Sequence, residues 1–302
     1  MTLLNDSQQF TVYIGFFLLI IGIIGNGINI LIFSKFRTYR QTPCTFYFLI
    51  GSISNMIYIL LNITLRILNV GYGIDIIAAL SIWCKFRQFL LVIPGIFSMN
   101  LSCLAAIDQF LITSKNVCVR HFSRIEFAHR IVILSLIFWC VHGIPIFVFY
   151  NILYPTKVCM NTNAGYDIYI VFYLLGLICA IPILIMVLFG WLTYRNICQI
   201  KRLNALQVDR QLIRMTFTHV ILSVISLLPF GIYQTYARLT KTVFKDSDRQ
   251  MKEYFVSTVL SMVTYIYFVG SCYIFLISSR SFRQKTRNQL FPWRQRTQIH
   301  TN

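Results

Sequence analysis

The side chains that could do chemistry in this chain are few and lie far apart. Asp108 closes a long apolar stretch that opens with Cys84. His142 and His219 lie inside other apolar stretches, each without a second histidine nearby. Such groups could form hydrogen bonds, a charge-dependent switch or a disulfide. Membrane hydrolases need paired aspartates, a Ser/His pair or a zinc-binding His-Glu-x-x-His, and the sequence has none of these arrangements. We therefore expect no enzymatic activity.

Seven long apolar stretches must position these residues, and composition indicates that they cross a membrane. The chain is 57% hydrophobic and 12% charged. A helix of about 20 apolar residues spans a hydrocarbon core of about 30 Å. We predict an all-α membrane protein in which one domain, residues 1–302, forms a seven-transmembrane helix bundle. The predicted spans are about 10–33, 44–68, 84–112, 130–153, 166–194, 211–236 and 251–277.

The charge distribution predicts the orientation of these spans. A net charge of +18 could indicate a nucleic-acid partner, but about two thirds of the 27 Lys and Arg residues fall in alternate connections and the tail. Because cytoplasmic loops are enriched in Lys and Arg, we expect an extracellular N-terminus, a cytoplasmic C-terminus and a plasma-membrane location. Lipid is then a partner and nucleic acid is not. Asn5 opens an Asn-x-Ser sequon on the predicted outer side.

Nine cysteines and the basic tail add two expectations. Seven cysteines fall within spans or on the cytoplasmic side, where small buried residues or reduced thiols are the usual interpretation. Cys84 and Cys159 remain on the oxidising side, so this topology leaves them as the disulfide pair. Residues 279–290 place Phe282 and Leu290 among four basic residues, which favours a short amphipathic helix lying on the membrane over a disordered basic tail.

With Cys84 at its outer end and Asp108-Gln109-Phe110 at its inner end, the third span resembles that of the rhodopsin-like (class A) G-protein-coupled receptors. There, a third-helix cysteine bonded to the second outer loop is followed at this distance by Asp-Arg-Tyr. The resemblance covers almost the whole chain, and it implies that an extracellular ligand is signalled to a heterotrimeric G protein on the inner face. Further matches are Gly25-Asn26, Leu49 to Asn55, Trp139, Pro182, Pro229 and Ser281-Phe282-Arg283.

The chain departs from the family pattern at its switch positions. Asn55 replaces the acid that holds sodium with a third-helix serine, here Ser98, so we expect a degenerate sodium site. Gln109 replaces the triplet arginine, so Asp108 needs a Lys or Arg of the second inner loop as its partner, or the resting lock is missing. Leu227 replaces an aromatic residue. The resemblance places the switch and the G-protein contact at Asp108, Gln109, Pro229, Ser271 and Phe275.

The resemblance also implies a ligand pocket between the outer halves of the helices, lined by Arg87, Leu91, Val92, Tyr233 and Tyr265. Leu91 stands where amine receptors carry aspartate, and Tyr265 stands where visual pigments carry lysine. An amine ligand and a retinal cofactor are therefore not expected, nor is any other cofactor or metal. A peptide or a small odorant-like molecule is expected. Alternatively, the arginine reaches lipid headgroups and the tyrosines form an interfacial belt.

Two other functions fit seven spans. A transporter or channel would show ionisable residues at mid-membrane, broken helices or related halves. Asp108 lies instead at the end of its span, and no repeat is visible. A receptor-like membrane protein that binds a ligand without coupling to a G protein is the second alternative, and Gln109 favours it.

Overall fold

The computed structural model describes residues 2–74, 81–153, 158–199, 207–240 and 242–290. Within these ranges, seven helices are long and apolar enough to cross a membrane, so the chain is a multi-pass membrane protein built as an all-α seven-helix bundle. We call them the first to seventh spans: Leu3–Lys35, Pro43–Gly71, Ser81–Thr113, Ile125–Phe149, Ala164–Cys198, Ile213–Leu239 and Ser247–Ser278.

Helical segments with distinct geometry make up these spans and their connections. Wider π-helical turns at Ile67–Gly71 and Tyr173–Ala180 lie within the second and fifth spans. Pro182 follows the second of these turns; it has no N–H to donate to the preceding turn, which accounts for the widening there.

The α-helices are α1 Thr2–Lys35, α2 Arg37–Arg40, α3 Pro43–Arg66, α4 Ser81–Thr113, α5 Val117–Arg120, α6 Ile125–His142, α7 Ile144–Phe149, α8 Ala164–Phe172, α9 Ile181–Gln199, α10 Gln207–Leu239, α11 Ser247–Ser278 and α12 Arg280–Leu290.

The fourth span ends earlier than the apolar pattern predicts. The predicted span reaches residue 153, but the helix ends at Phe149 and the next residues form a strand, β1 Tyr150–Leu153. β1 pairs antiparallel with β2 Val158–Asn161. Aromatic and β-branched residues suit a strand as well as an apolar helix, so composition alone does not separate the two. The other predicted spans agree with the helices, which extend a few residues further at most of their ends.

Asn26 joins the first span to the seventh in the middle of the bundle. Its Nδ2 donates to the carbonyl oxygen of Phe268 at 3.0 Å and to that of Gly22 at 2.9 Å. Gly25, the preceding residue, lets the helices approach: a Cβ there would lie 3.1 Å from the ring of Tyr273. The Tyr273 hydroxyl donates to the carbonyl oxygen of Ile21 at 2.8 Å. The Gly-Asn pair therefore sets the contact between the first and seventh spans.

An aromatic cluster anchors α12 at one end of the bundle. Phe282 is fully buried, and its ring centroid lies 5.5 Å from that of Phe33 and 5.9 Å from that of Phe275. Lys285 Nζ lies 3.6 Å from the ring centroid of Tyr39. The helix predicted at 279–290 is thus present as α12 and packs on the bundle through its apolar face. We call this end of the bundle the tail end.

Gly231 allows a test of the contact between the fifth and sixth spans. A Cβ on Gly231 would lie 2.4 Å from Cys179 Sγ, so Gly231→Ala should lower the free energy of unfolding by about 1 to 3 kcal/mol. Gly231→Ala/Cys179→Ala removes the clashing sulfur and should recover most of that loss. Melting temperatures in one detergent measure both effects. The control is Gly51→Ala, because no atom lies within 4 Å of its Cβ position. Equal melting temperatures for Gly231→Ala and Gly51→Ala would contradict this packing.

Candidate functional site

A disulfide ties the third span to the β-hairpin. Cys84, fully buried in the first turn of α4, is bonded to Cys159 of β2, and their Cα atoms are 5.7 Å apart. Cys159 stands opposite Ile152 in the hairpin, so the bond also holds the segment that follows the fourth span. The predicted pair is formed, and the other seven cysteines are free thiols. We call this end of the bundle the disulfide end.

A cavity of about 230 Å³ lies between the third, fourth, fifth and sixth spans near the disulfide end. Its wall is largely aromatic and aliphatic, with a few polar groups. Tyrosines of the fifth span line one side, at positions 166, 169 and 173, and Tyr150 of β1 lies next to them. The remaining lining residues are Gln88, Val92, Ile93, His142, Gly143, Ile146, Ile170, Leu174, Phe230, Gln234 and Arg238.

Hydrogen bonds fix several polar groups of this cavity. The Tyr169 hydroxyl and His142 Nε2 are 2.6 Å apart. Arg238 Nη1 donates to Asp167 Oδ1 at 3.1 Å, which offsets its charge. The Tyr173 hydroxyl is buried and has no hydrogen-bond partner within the described residues, and the same holds for Arg238 Nε. Burial raises the pKa of Tyr150 above its ordinary value, so this phenol is neutral at physiological pH.

Of the five residues predicted to line the pocket, Val92 does so and the other four do not line this cavity. Tyr233 donates to the carbonyl oxygen of Glu253. Tyr265 is hydrogen-bonded to Arg66, and the Arg87 charge lies close to it. The carbonyl oxygen of Leu91 accepts from Asn62 Nδ2 at 3.4 Å. Tyr265 and Leu91 therefore contact the second span, whereas Tyr233 contacts the seventh.

The fifth-span tyrosines were missed by the sequence interpretation, although their spacing carries a signal. Residues 166, 169 and 173 follow the i, i+3, i+7 pattern, which places side chains on one helix face. Three phenols on one face of an apolar helix indicate a polar or ligand-facing stripe. His142, which sequence reasoning treats as a core histidine, faces the same cavity.

A second polar region lies deeper between the first, second, third and seventh spans. The Ser98 hydroxyl donates to Asn55 Oδ1, so the structure brings together the two residues predicted for the degenerate sodium site. Asn29 Nδ2 donates to Ser52 Oγ and to Ser271 Oγ, each at 3.1 Å. All five residues are buried. Their hydrogen bonds join uncharged groups, and a cavity of about 10 Å³ lies beside them.

The predicted switch residues do not lie together: Asp108 and Phe275 lie near the tail end, whereas Pro229 adjoins Phe230 of the cavity wall. Asp108 is 3% exposed, and its Oδ1 accepts a hydrogen bond from Ser123 Oγ at 2.6 Å. This hydroxyl comes from the segment between the third and fourth spans. Phe275 belongs to the aromatic cluster that anchors α12. Pro229 lies inside α10.

Gln109 faces a separate small cavity. It is 2% exposed, and its Oε1 has no hydrogen-bond partner in the part of the chain that is described. The cavity, about 10 Å³, also has Thr193 and Thr216 in its wall. A buried amide oxygen without a partner costs about 1 to 3 kcal/mol, so this position stores free energy that a donor from another molecule or segment could release.

Asn5 is exposed and lies in the first turns of α1, ahead of the apolar part of that helix. Ser7, the third residue of its sequon, is buried, and its hydroxyl donates to the carbonyl oxygen of Leu3 at 2.8 Å. The described residues contain no group of three or more His, Cys, Asp or Glu side chains that could hold a metal ion.

Neither the known family models nor the curated proteins contain a match to this chain.

The neutral polar region around Asn55 predicts how the protein responds to sodium. Replacing sodium chloride with N-methyl-D-glucamine chloride should leave the melting temperature of the unmodified chain unchanged, because an amide lacks the charge that binds sodium. Asn55→Asp should gain sodium-dependent stability of about 1 kcal/mol at a sodium concentration about fivefold above Kd. Asn55→Asp/Ser98→Ala is the matched control and should lose part of that gain. A sodium shift in the unmodified chain as large as in Asn55→Asp would contradict the prediction.

Proposed function

We propose that this protein is a divergent rhodopsin-like G-protein-coupled receptor. The observation that carries the proposal is the third span, a single helix that links three features. It bears the disulfide at Cys84, lines the aromatic cavity through Val92, and ends near buried Asp108 and Gln109. A ligand in the cavity therefore contacts the same helix that ends near Asp108 and Gln109.

In this proposal, ligand binding shifts a two-state equilibrium of the bundle. The sixth span contributes Phe230, Gln234 and Arg238 to the cavity wall, and Pro229 lies next to them inside the helix. Because proline removes one backbone hydrogen bond, the helix bends more easily at this position. A ligand that binds the bent arrangement more tightly raises its population and opens the tail end to the G protein.

The proposed orientation places the disulfide end outside the cell and the tail end in the cytoplasm. An extracellular disulfide end suits the oxidising compartment in which the Cys84–Cys159 bond persists. α12 carries a Lys and three Arg residues at the other end of the bundle, as the excess of positive charge in cytoplasmic segments requires. A plasma-membrane location follows from an extracellular ligand and a cytoplasmic G protein.

A receptor-like protein that binds a ligand without coupling is the second candidate, and buried Gln109 favours it. Glutamine at this position has no cationic group to offer a G protein. A transporter or channel is less well supported, because the cavities that we describe are separate from one another and the deep polar region is built from neutral side chains.

Expression in a cell line tests the proposal directly. A panel of peptides and odorant-sized molecules is applied while G-protein dissociation and transmembrane current are recorded together. Receptor function predicts ligand-dependent G-protein dissociation without current. Current without dissociation would contradict the receptor proposal. Gln109→Arg should increase dissociation severalfold by adding the missing guanidinium, and Gln284→Arg controls for a charge added elsewhere at the tail end, because Gln284 is exposed on α12.

The Ser123–Asp108 hydrogen bond yields a separate prediction on basal signalling. Ser123→Ala removes a hydrogen bond to a buried carboxylate, and a loss of about 1.4 kcal/mol from the resting state changes its population tenfold. Basal G-protein dissociation should therefore rise, by up to about tenfold. Ser114→Ala is the control, because this hydroxyl lies in the same segment and accepts only an exposed backbone hydrogen bond. Equal basal signals from the two variants, at equal surface expression, would contradict a resting role for the contact.

A further inference from the structure

The volume of the aromatic cavity limits the size of its ligand. At about 230 Å³, it is larger than a 150 Å³ engineered cavity that holds benzene, and smaller than the roughly 300 to 1,000 Å³ of sites for drug-sized molecules. Scaling from benzene gives roughly nine or ten non-hydrogen atoms. A single aromatic ring with a small substituent fits this volume, whereas a peptide backbone with its side chains does not.

The charges around the cavity favour an uncharged ligand. Among the described lining residues, Arg238 alone has a full formal charge at neutral pH, and its guanidinium is already bonded to Asp167. An amine would meet Arg238 and would find no carboxylate among the described residues of the wall. An anion would share the single positive charge of Arg238 with Asp167, which would leave one negative charge without compensation. Since stripping water from an unpaired charge is costly, either ligand would bind more weakly than a neutral one of equal size.

Two groups in the wall can still donate a hydrogen bond. The Tyr173 hydroxyl lies on a residue only 7% exposed, and it has no partner within the described residues. Arg238 Nε–H is also buried and has no partner within the described residues. By contrast, the Tyr169 hydroxyl is already bonded to His142. A buried donor without a partner costs about 1 to 3 kcal/mol, which a ligand with an acceptor oxygen would recover.

We propose that the cavity binds an uncharged, mainly aromatic molecule of about ten non-hydrogen atoms with one acceptor oxygen, such as an aryl ketone or ester. Ring edges and faces of the tyrosines hold the aromatic part, and Tyr173 donates to the oxygen. This inference rests on the proposed receptor function for its role in signalling. It selects the odorant-sized ligand over the peptide.

Equilibrium dialysis against the full chain in lipid nanodiscs tests the inference without any signalling step. Three radiolabelled probes share a phenyl ring and have nearly equal size: acetophenone, benzoate and 1-phenylethylamine. Specific binding is the excess over Ile146→Trp, which fills the cavity, with folding of that variant checked by its melting temperature. Acetophenone should bind at least tenfold more tightly than either charged probe. Tighter binding of benzoate or the amine, or no specific binding of acetophenone to the folded chain, would overturn the inference.

A variant pair locates the hydrogen bond. Tyr173→Phe should weaken acetophenone binding about tenfold and leave binding of ethylbenzene, which has no oxygen, within twofold. Tyr194→Phe should change neither, because Tyr194 is an exposed tyrosine of the same span. Equal effects of Tyr173→Phe on both probes would overturn the assigned hydrogen bond. Acetophenone binding without G-protein dissociation would support the inference and contradict the receptor function. Dissociation driven by a peptide, with no acetophenone binding, would support the receptor function and contradict the inference.

Discussion

The bundle depends on one constraint: inside a membrane, a buried polar group has no water to bond with and must find its partner within the protein. Asn26 meets this constraint by donating to a carbonyl oxygen of the seventh span, and Asn29 by bridging Ser52 and Ser271. These two side chains of the first span hold the second and seventh spans in place. Any rotation of one of the three helices would leave an amide unpaired.

The same constraint is met incompletely at several buried atoms. Around the aromatic cavity, Tyr173 and Arg238 keep donors without partners among the described residues, and Gln109 keeps an acceptor without one. Asn26 and Asn29 also keep an unpaired Oδ1, but the amide nitrogen of each makes two hydrogen bonds. The proposed rearrangement therefore moves the sixth span against the first, second and seventh spans, which these amides join.

Sequence reasoning found the seven spans, the Cys84–Cys159 disulfide and α12. The length of the apolar stretches and the positions of charges and cysteines between them can be read from the chain itself. It also paired Asn55 with Ser98, which only the family resemblance made visible. It did not find the strand at 150–153 or the residues of the cavity wall. Those depend on how helices rotate against each other, and a hydrophobic pattern records that a helix is buried but not which neighbour each side faces.

The π-helical turn at Tyr173–Ala180 divides the fifth span into two helices with independent registers. Before it, the helix presents Tyr166 and Tyr169 to the cavity. After it, the helix packs against the sixth span at Gly190, where a Cβ would lie 3.3 Å from the ring of Phe217. A wide turn can absorb the insertion or loss of one residue that would otherwise rotate the whole helix. The cavity side of this span can therefore change its face during evolution while the lower half keeps its packing, so ligand preference can diverge without a redesign of the end that signals.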